Sequence, residues 1–229
     1  MKRAWVDLDP EDVHTLLISL IGYRFGEQPE QHIDAIKAER QSYALKFVKL
    51  AGVQQYHTVL DLGAGCGFGT AEIARHVGRI RACDISPAFL GFARLVCTGI
   101  EYQEFHQTEP GRLDPIGDAC VDVIIAMSLF IHLNLYDMHA YFRGFQRVLK
   151  PRGKVVFDFA DAHGLFSRIR TSANDALFRE HSGYYRKNPA VIAELVQWTS
   201  ARAITRVARD VGFKRLKRRG QKLVLERRQ

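Results

Sequence analysis

The feature that most constrains this chain is a glycine-rich turn at residues 63–67, which joins an apolar run to a helical pattern. The run at residues 57–62 is rich in β-branched and aliphatic side chains, which favours a buried strand. The apolar spacing of residues 71–77 favours one face of a helix. The glycines of the turn have no Cβ, so the backbone can adopt positive φ and let a ligand approach its amides. A strand, such a turn and a helix in this order predict a site for a nucleoside-bearing cofactor.

Asp61 lies two residues before the first glycine, within the apolar run. Burying a carboxylate there is costly without a partner, and a cationic ligand group would be one. The dinucleotide-binding pattern instead requires a glycine three positions after its second glycine. Counting from Gly65, that position is Phe68, and starting from Gly67 as the second glycine it is Thr70. The turn therefore disfavours a nicotinamide-dependent dehydrogenase.

The sequence VLDLGAGCGFGT, residues 59–70, resembles the first motif of the class I S-adenosylmethionine-dependent methyltransferases, an acidic residue followed by a glycine-rich turn. Four further segments resemble later motifs of that family and follow in the same order: RACDIS at 81–86, YQEFHQTEP at 102–110, LDPIGDACVDVIIAMSLFIHL at 113–133 and RVLKPRGKVVFDF at 147–159. The resemblance covers about residues 43–160. It departs from the family at Glu109, where aspartate is usual, and at Arg152, where glycine is common.

The resemblance implies that S-adenosyl-L-methionine is the cofactor and that Asp84, which lies 23 positions after Asp61, holds its ribose hydroxyls. Two other interpretations stay open: Asp61 could cap the turn, and Asp84 could take part with Ser86 in capping the helix that begins at Pro87. Glu109 could equally be a simple exposed loop residue. The cofactor-binding residues that the resemblance implies are Asp61, Gly63, Ala64, Gly65, Gly67, Asp84, Ile85, Glu109, Pro110, Met127 and Ser128.

Strand and helix patterns alternate along the middle of the chain, with strands near residues 57, 79, 101, 121 and 154. This alternation predicts an α/β fold with a mostly parallel sheet and ligands at the strands' carboxyl ends. With the resemblance, we expect a Rossmann-like doubly wound, seven-stranded sheet with helices on both faces and an antiparallel C-terminal hairpin. We expect a single methyltransferase domain over residues 1–229. Its parts would be an N-terminal helical cap at 1–52, a cofactor-binding core at 53–160, a substrate-side insertion at 161–197, and a C-terminal helix and hairpin at 198–229.

Two segments interrupt the common plan, the N-terminal region to about residue 40 and residues 160–198. Both contain aromatic residues among polar ones, a composition that suits a lid over an organic substrate and suits a small satellite core equally well. The residues concerned are Tyr23, Arg24, Phe25, Phe166, Phe178, His181, Tyr184, Tyr185 and Trp198.

Most of the formal net charge of +8 lies near the C-terminus, where residues 213–229 hold eight basic residues and one acidic residue. Such a segment could attract nucleic acid phosphates or an acidic membrane surface. We favour a simpler interpretation, because Lys and Arg commonly protect an exposed strand edge.

The activated sulfonium methyl of the implied cofactor needs an aligned acceptor and exclusion of water more than covalent catalysis. His132, just after the fourth strand, is a candidate general base, or it could pack on the loop or the cofactor. We expect transfer to an O, N or C nucleophile of a small molecule. Alternatives are an RNA or DNA methyltransferase that uses the basic C-terminal hairpin, and a non-catalytic S-adenosylmethionine-binding module. The segment AMSLFIHL lacks the Asn/Asp-Pro-Pro-aromatic signature of amino-methylating enzymes, which disfavours nucleic acid as the acceptor.

The remaining features suggest a cytoplasmic protein. The N-terminus has the wrong order of charge and apolar residues for a secretory signal. The longest apolar stretch, residues 123–135, is too short to span a membrane and is interrupted by polar residues. The four cysteines, Cys66, Cys83, Cys97 and Cys120, have no spacing typical of a metal site. The oligomeric state and the acceptor stay open.

Overall fold

The computed structural model describes residues 17, 28–101, 103–162 and 196–229. Nine strands occur in this part of the chain. They are β1 (Thr58–Leu62), β2 (Arg79–Asp84), β3 (Gln103–Gln107), β4 (Val121–Ala126), β5 (Leu149–Asp158), β6 (Ala160–Asp161), β7 (Trp198–Thr199), β8 (Phe213–Arg219) and β9 (Lys222–Arg227).

Seven of the strands form one sheet in the order β3-β2-β1-β4-β5-β9-β8. The first five in that order are parallel, and β9 is antiparallel to both of its neighbours. Strands β6 and β7 form a separate parallel pair. The predicted fold class is confirmed, including the seven strands and the antiparallel hairpin of β8 and β9.

Five α-helices have described bounds, and local capping sets several of their ends. They are α1 (Ile33–Ala51), α2 (Phe68–Ile73), α3 (Pro87–Val96), α4 (Leu135–Val148) and α5 (Ala201–Asp210). Helix α1 ends where Gly52 adopts a left-handed conformation. Ser86 caps α3 by accepting the Phe89 amide, and Asn134 begins α4 with a reciprocal capping box.

Alternation of side chains along each strand separates two apolar layers. On one face, Val59, Val123 and Val156 pack with α1 and the end of α2. On the other face, their neighbours Leu60, Ile124 and Val155 pack with α4 and α5. Helices therefore cover both faces, which is the arrangement expected for a buried parallel sheet. The carboxyl ends of β1 to β5 consequently lie together at one edge of the sheet, which we call the carboxyl edge.

Strand β3 begins two residues later than the expected position 101, and β5 begins at Leu149, five residues before position 154. Trp198 lies in β7, whereas the other aromatic and polar residues proposed for substrate recognition, at 23–25 and 166–185, lie outside the described residues. Within the described ranges, no helix combines the length and apolar character needed to cross a membrane.

Candidate active site

The glycine-rich turn adopts the conformation that its residues allow. Gly63, Gly65 and Gly67 have φ values of 74°, 52° and 76°, which favour glycine strongly. The amides of Gly63 and Ala64 both donate to the Cys83 carbonyl of β2, at 2.8 and 3.0 Å. The Gly65 amide donates to the Asp84 carboxylate, and the Gly67 amide to the Ala64 carbonyl. The expectation that these amides lie open for a ligand is therefore wrong, because each is already used within the fold.

Gly67 also has a packing role. A Cβ atom on Gly67 would lie 2.8 Å from the Cα and Cβ of Ala93 in α3. Real Cβ atoms do not approach that closely, so α3 can pack on the turn only because residue 67 is glycine. The turn thus fixes the position of α3 relative to β1.

Asp61 is the most unusual group at the carboxyl edge, because its buried carboxylate is only half satisfied. Its side chain is 0% exposed, and Oδ2 accepts a 2.6 Å hydrogen bond from the Thr70 hydroxyl. Oδ1 has no hydrogen-bond partner among the described residues. Burial raises the pKa of Asp61 from 3.8 to about 7, the Thr70 hydrogen bond opposes this rise, and the charge of Asp84 adds to it. Buried polar atoms rarely lack a partner, so Oδ1 indicates a place for a donor from beyond the described residues.

Asp84, the last residue of β2, organises both the turn and the start of α3. Its side chain is 8% exposed. One carboxylate oxygen accepts from the Gly65 amide and the other from the Ser86 amide, each at 2.9 Å. Burial raises the pKa of Asp84, and these backbone hydrogen bonds oppose the rise. Ser86 supplies the N-cap of α3, so Asp84 is free of that role, and its carboxylate retains lone pairs for further donors.

The residues that follow β2 and β3 differ from one another in exposure. Ile85 is 54% exposed and presents an aliphatic side chain next to Asp84. Glu109 is exposed and forms an ion pair with Arg112 at 3.1 Å, and Pro110 is exposed beside it. Thr108, which the sequence analysis did not single out, is 7% exposed, and its Oγ1 has no partner in the described part of the chain.

Thr108 also connects the two strand ends. Its amide donates to the Asp84 carbonyl at 3.0 Å, which holds the end of β3 against the end of β2. In the sequence, Thr108 could have been identified only by its position directly before Glu109 in the third motif. This strand end therefore presents a buried Thr108 hydroxyl that has no partner among the described residues, beside an exposed Glu109.

A second buried carboxylate network joins the ends of β4 and β5 to α1. Asp158, the last residue of β5, is 6% exposed and accepts from the Tyr43 hydroxyl and the Ser128 amide, each at 2.7 Å. Arg40 in turn donates to the Ser128 hydroxyl at 3.3 Å. Burial raises the pKa of Asp158, while its hydrogen bonds oppose the rise. Asp158 was not predicted from the sequence, where it is the single acidic residue in the otherwise apolar segment VVFDF.

Ser128 has a φ of 57°, an uncommon conformation for a residue with a Cβ, and the Asp158 hydrogen bond holds it there. Its neighbour Met127 lies against α2, since a Cβ on Gly69 would come within 2.5 Å of the Met127 methyl carbon. His132 is half-buried and ends a 3-10 turn, Phe130–His132, that begins just after Leu129. Leu129 itself lies beside Gly63. The predicted catalytic residue therefore belongs to the segment that borders the glycine turn.

The carboxyl edge thus carries the glycine turn, Asp61, Asp84, Ile85, Met127 and Ser128. The exposed Glu109 side chain is engaged in its ion pair with Arg112. Two buried carboxylates with spare acceptor capacity fit a ligand that carries positive charge and hydroxyl groups. S-adenosylmethionine carries an ammonium, a sulfonium and two ribose hydroxyls, so the acceptor groups at this edge match the donors and positive charge of that cofactor.

Comparison with known proteins agrees with this geometry. Residues 60–157 match a family model described as a methyltransferase domain. The chain is 34% identical over 108 residues to a demethylmenaquinone methyltransferase from Tropheryma whipplei, covering 47% of this chain and 44% of that protein. It is 35% identical over 124 residues to a ubiquinone/menaquinone biosynthesis C-methyltransferase from Cellvibrio japonicus, covering 51% and 48% respectively. The chain therefore spans about half the length of the curated relatives it matches.

Among solved structures, the N-methyltransferase NodS from Bradyrhizobium japonicum, in complex with S-adenosylhomocysteine, has the same fold. The TM-score is 0.57 at 15% identity, covering 84% of this chain and 87% of that one. The strand order and the matched segment agree: residues 60–157 of this chain are similar to a methyltransferase domain, and they lie on the fold that NodS shares.

Proposed function

We propose that this chain transfers a methyl group from S-adenosyl-L-methionine to an O, N or C nucleophile of a small organic molecule. The observation that carries the proposal is the Oδ1 of buried Asp61, which has no partner among the described residues and lies beside the end of β2, where Asp84 is located. When bound, the cofactor supplies a methyl group on a positively charged sulfur, which is already activated for displacement.

Each predicted binding residue takes a role that its position supports. Asp61 would accept the positively charged end of the cofactor, because it is the buried carboxylate with a free acceptor. Asp84 would hold the ribose hydroxyls, and exposed Ile85 would cover the apolar face of the adenine. Thr108, with the neighbouring Glu109 and Pro110, would border the far side of the adenine.

The remaining binding residues act through shape. The turn at Gly63, Ala64, Gly65 and Gly67 keeps the backbone compact beside the ligand, since its amides are bonded within the fold. Met127 and Ser128 would line the edge between cofactor and acceptor. We propose that the Asp158 hydrogen bonds keep this border rigid, because they hold the unusual backbone of Ser128.

The acceptor side needs alignment and, for a protonated nucleophile, a base. We propose His132 for that proton transfer, on the basis of its place in the turn that follows β4. The half-buried position would let the imidazole contact an acceptor and exchange the proton with solvent. Buried Asp158 is better suited to positioning, because both of its oxygens already accept hydrogen bonds.

The names of the two quinone-methylating relatives described above favour a quinone-type acceptor methylated at carbon, and we propose that class for the first trials. A nucleic acid acceptor is the weaker alternative, since the segment after β4 lacks the base-holding signature of amino-methylating enzymes. We also propose a cytoplasmic location. A non-catalytic cofactor-binding module would keep Asp61 and Asp84 but would transfer no methyl group.

The test supplies S-adenosylmethionine labelled in its methyl group to the full chain, with demethylated quinols, other small acceptors and tRNA in parallel. Label in an organic small molecule supports the proposal. Label in tRNA alone, or cofactor binding without transfer to any acceptor, contradicts it. His132→Ala should lower turnover by about 10²–10⁴-fold while cofactor affinity stays unchanged.

Asp84 provides the matched binding variant. Asp84→Ala should weaken cofactor binding by about 1.5–3 kcal/mol through loss of hydrogen bonds to the ionised carboxylate. Because Asp84 also holds the Gly65 and Ser86 amides, Asp84→Asn serves as a control that retains one acceptor oxygen. Urea unfolding of both variants separates lost binding from lost fold. Unchanged calorimetric affinity in a folded Asp84→Ala would contradict the ribose assignment.

A further inference from the structure

A cleft of about 670 Å³ lies between α5 and the first residues of β8. Thr205 and Phe213 form part of its wall. Every charged side chain that lines it is basic, and the six residues are Arg202, Arg206, Arg209, Lys214, Arg215 and Arg228.

The cleft is separate from the carboxyl edge. Its strand, β8, lies four positions from β1 in the sheet, which corresponds to roughly 19 Å at the usual strand spacing. Within the hairpin, Phe213 pairs with Arg227, far from the turn at Gly220. That end of β9 lies opposite Lys154, near the middle of β5, whereas the site residue Asp158 lies opposite Lys222, at the end of β5. A ligand in the cleft would therefore not contact the proposed methyl-transfer site.

The arginines of the cleft lack acidic partners. Within the described residues, no ion pair involves Arg202, Arg206, Arg209, Arg215 or Arg228, and all five are exposed. Lys214 is the exception, since it pairs with Glu226 at 2.6 Å. The closest acid on α5 is Asp210, which is exposed and does not line the cleft. The cleft therefore concentrates positive charge that the described residues do not neutralise.

Protection of a strand edge does not explain this arrangement. Edge protection accounts for Lys217 and Arg219, which are exposed on the outer strand β8. The three arginines of α5, in contrast, lie on a helix, spaced four and three residues apart along one face. Like charges at that spacing weakly destabilise a helix, and an anion bound between them would remove this cost.

The geometry selects the kind of anion. Arginine presents a planar fork that binds phosphate through two hydrogen bonds. From Arg202 to Arg209 the helix rises roughly 10 Å, which is longer than one phosphate group. The cleft volume lies in the range of small-ligand pockets, and a flat membrane surface would not enter a concave site.

We propose that this cleft binds a soluble ligand that carries a chain of phosphates, as a nucleoside triphosphate does. The inference is independent of the proposed methyl transfer, since it uses none of the residues at the carboxyl edge.

The probe is inorganic tripolyphosphate, titrated calorimetrically into the full chain at near-physiological salt, with ATP as a second probe. The cleft variant is Arg206→Gln with Arg209→Gln, since both side chains are exposed and glutamine is a good helix former. The matched control is Lys217→Gln with Arg219→Gln, which removes the same charge from β8 outside the cleft. We expect one binding site, affinity at least about tenfold weaker in the cleft variant, and a change below about twofold in the control.

The other outcomes each overturn the proposal. Equal weakening in both variants would mean general attraction by net charge. Binding of RNA but not of tripolyphosphate would mean a polynucleotide surface, and binding only to vesicles of anionic phospholipid would mean a membrane surface. No binding at all would leave the arginines as solvated surface. S-adenosylmethionine affinity should be equal in the wild type and both variants, which separates failure here from failure of the proposed function.

Discussion

Replacing Asp61 by asparagine should change how stability depends on pH, because the wild-type carboxyl is buried with one oxygen unpartnered. Burial raises the pKa of Asp61 from 3.8 to about 7 in the folded protein. The folded protein then holds the proton more tightly than the unfolded chain does. The free energy of unfolding is therefore highest below the unfolded pKa and falls as pH rises through the folded pKa.

The size of the effect follows from the pKa difference. Each pKa unit corresponds to about 1.36 kcal/mol, so the full loss is about 4 kcal/mol, of which roughly 2.5 kcal/mol falls between pH 5 and pH 8. Asparagine cannot ionise, so Asp61→Asn should not lose this unfolding free energy as pH rises. Urea unfolding of both proteins at several pH values measures the difference, with the Thr70 hydrogen bond available to either side chain.

The unfolding free energy of Asp61→Asn should therefore increase relative to that of the wild type as pH rises. Saturating S-adenosylhomocysteine should reduce the pH-dependent loss of stability, and only in the wild type. The cause is the ammonium of that ligand, which would stabilise ionised Asp61. Parallel stability profiles for Asp61→Asn and wild type from pH 5 to pH 8 would refute the reasoning, because they would mean that burial does not perturb this carboxyl.

Two further substitutions test the packing of the carboxyl edge. Tyr43→Phe removes the hydroxyl that donates to Asp158 and should cost about 1–3 kcal/mol of unfolding free energy, whereas Tyr56→Phe, at an 81% exposed position, should cost almost nothing. Equal urea midpoints for the two variants would contradict a contribution from that hydrogen bond. Gly67→Ala should destabilise the protein by several kcal/mol, since it combines left-handed strain with a clash against α3. Gly99 also has a positive φ, 85°, but an added Cβ would lie in open space there, so Gly99→Ala should cost only the backbone strain, about 1–2 kcal/mol. Equal thermal shifts for Gly67→Ala and Gly99→Ala would argue against the clash.

Local sequence patterns predicted the fold because each depends on neighbouring residues. The apolar run before the turn predicted β1, and Pro87 marked the start of α3. The Asp61 prediction also followed locally, from a carboxylate in an apolar strand. Its burial, shown by the structure, is what makes the residue chemically distinctive.

Contacts between distant segments could not be predicted in the same way. Tyr43 and Asp158 are 115 positions apart, and only the packing of α1 against the end of β5 brings them together. The basic cleft could not be predicted for a similar reason. Counting charges along the sequence singled out residues 213–229 but not the arginines of α5, which line the same cleft. The occupied amides of the glycine turn depend on β2, which the motif itself does not contain.

Arg152 illustrates a different kind of limit. The family resemblance marked it as a substitution for a common glycine, and the structure shows φ of 64° there. Arginine keeps a backbone conformation that glycine adopts without strain, so the chain retains the turn at an energetic cost.

The most direct measurement is calorimetric titration of the folded wild type and Asp61→Asn with S-adenosylmethionine, S-adenosylhomocysteine and the nicotinamide dinucleotides. We expect micromolar binding of the two adenosyl-sulfur ligands to the wild type, strong weakening in the variant, and no binding of the dinucleotides. Binding of a nicotinamide dinucleotide to the wild type, or unchanged affinity for S-adenosylmethionine in folded Asp61→Asn, would contradict the assignment of this edge as the cofactor site.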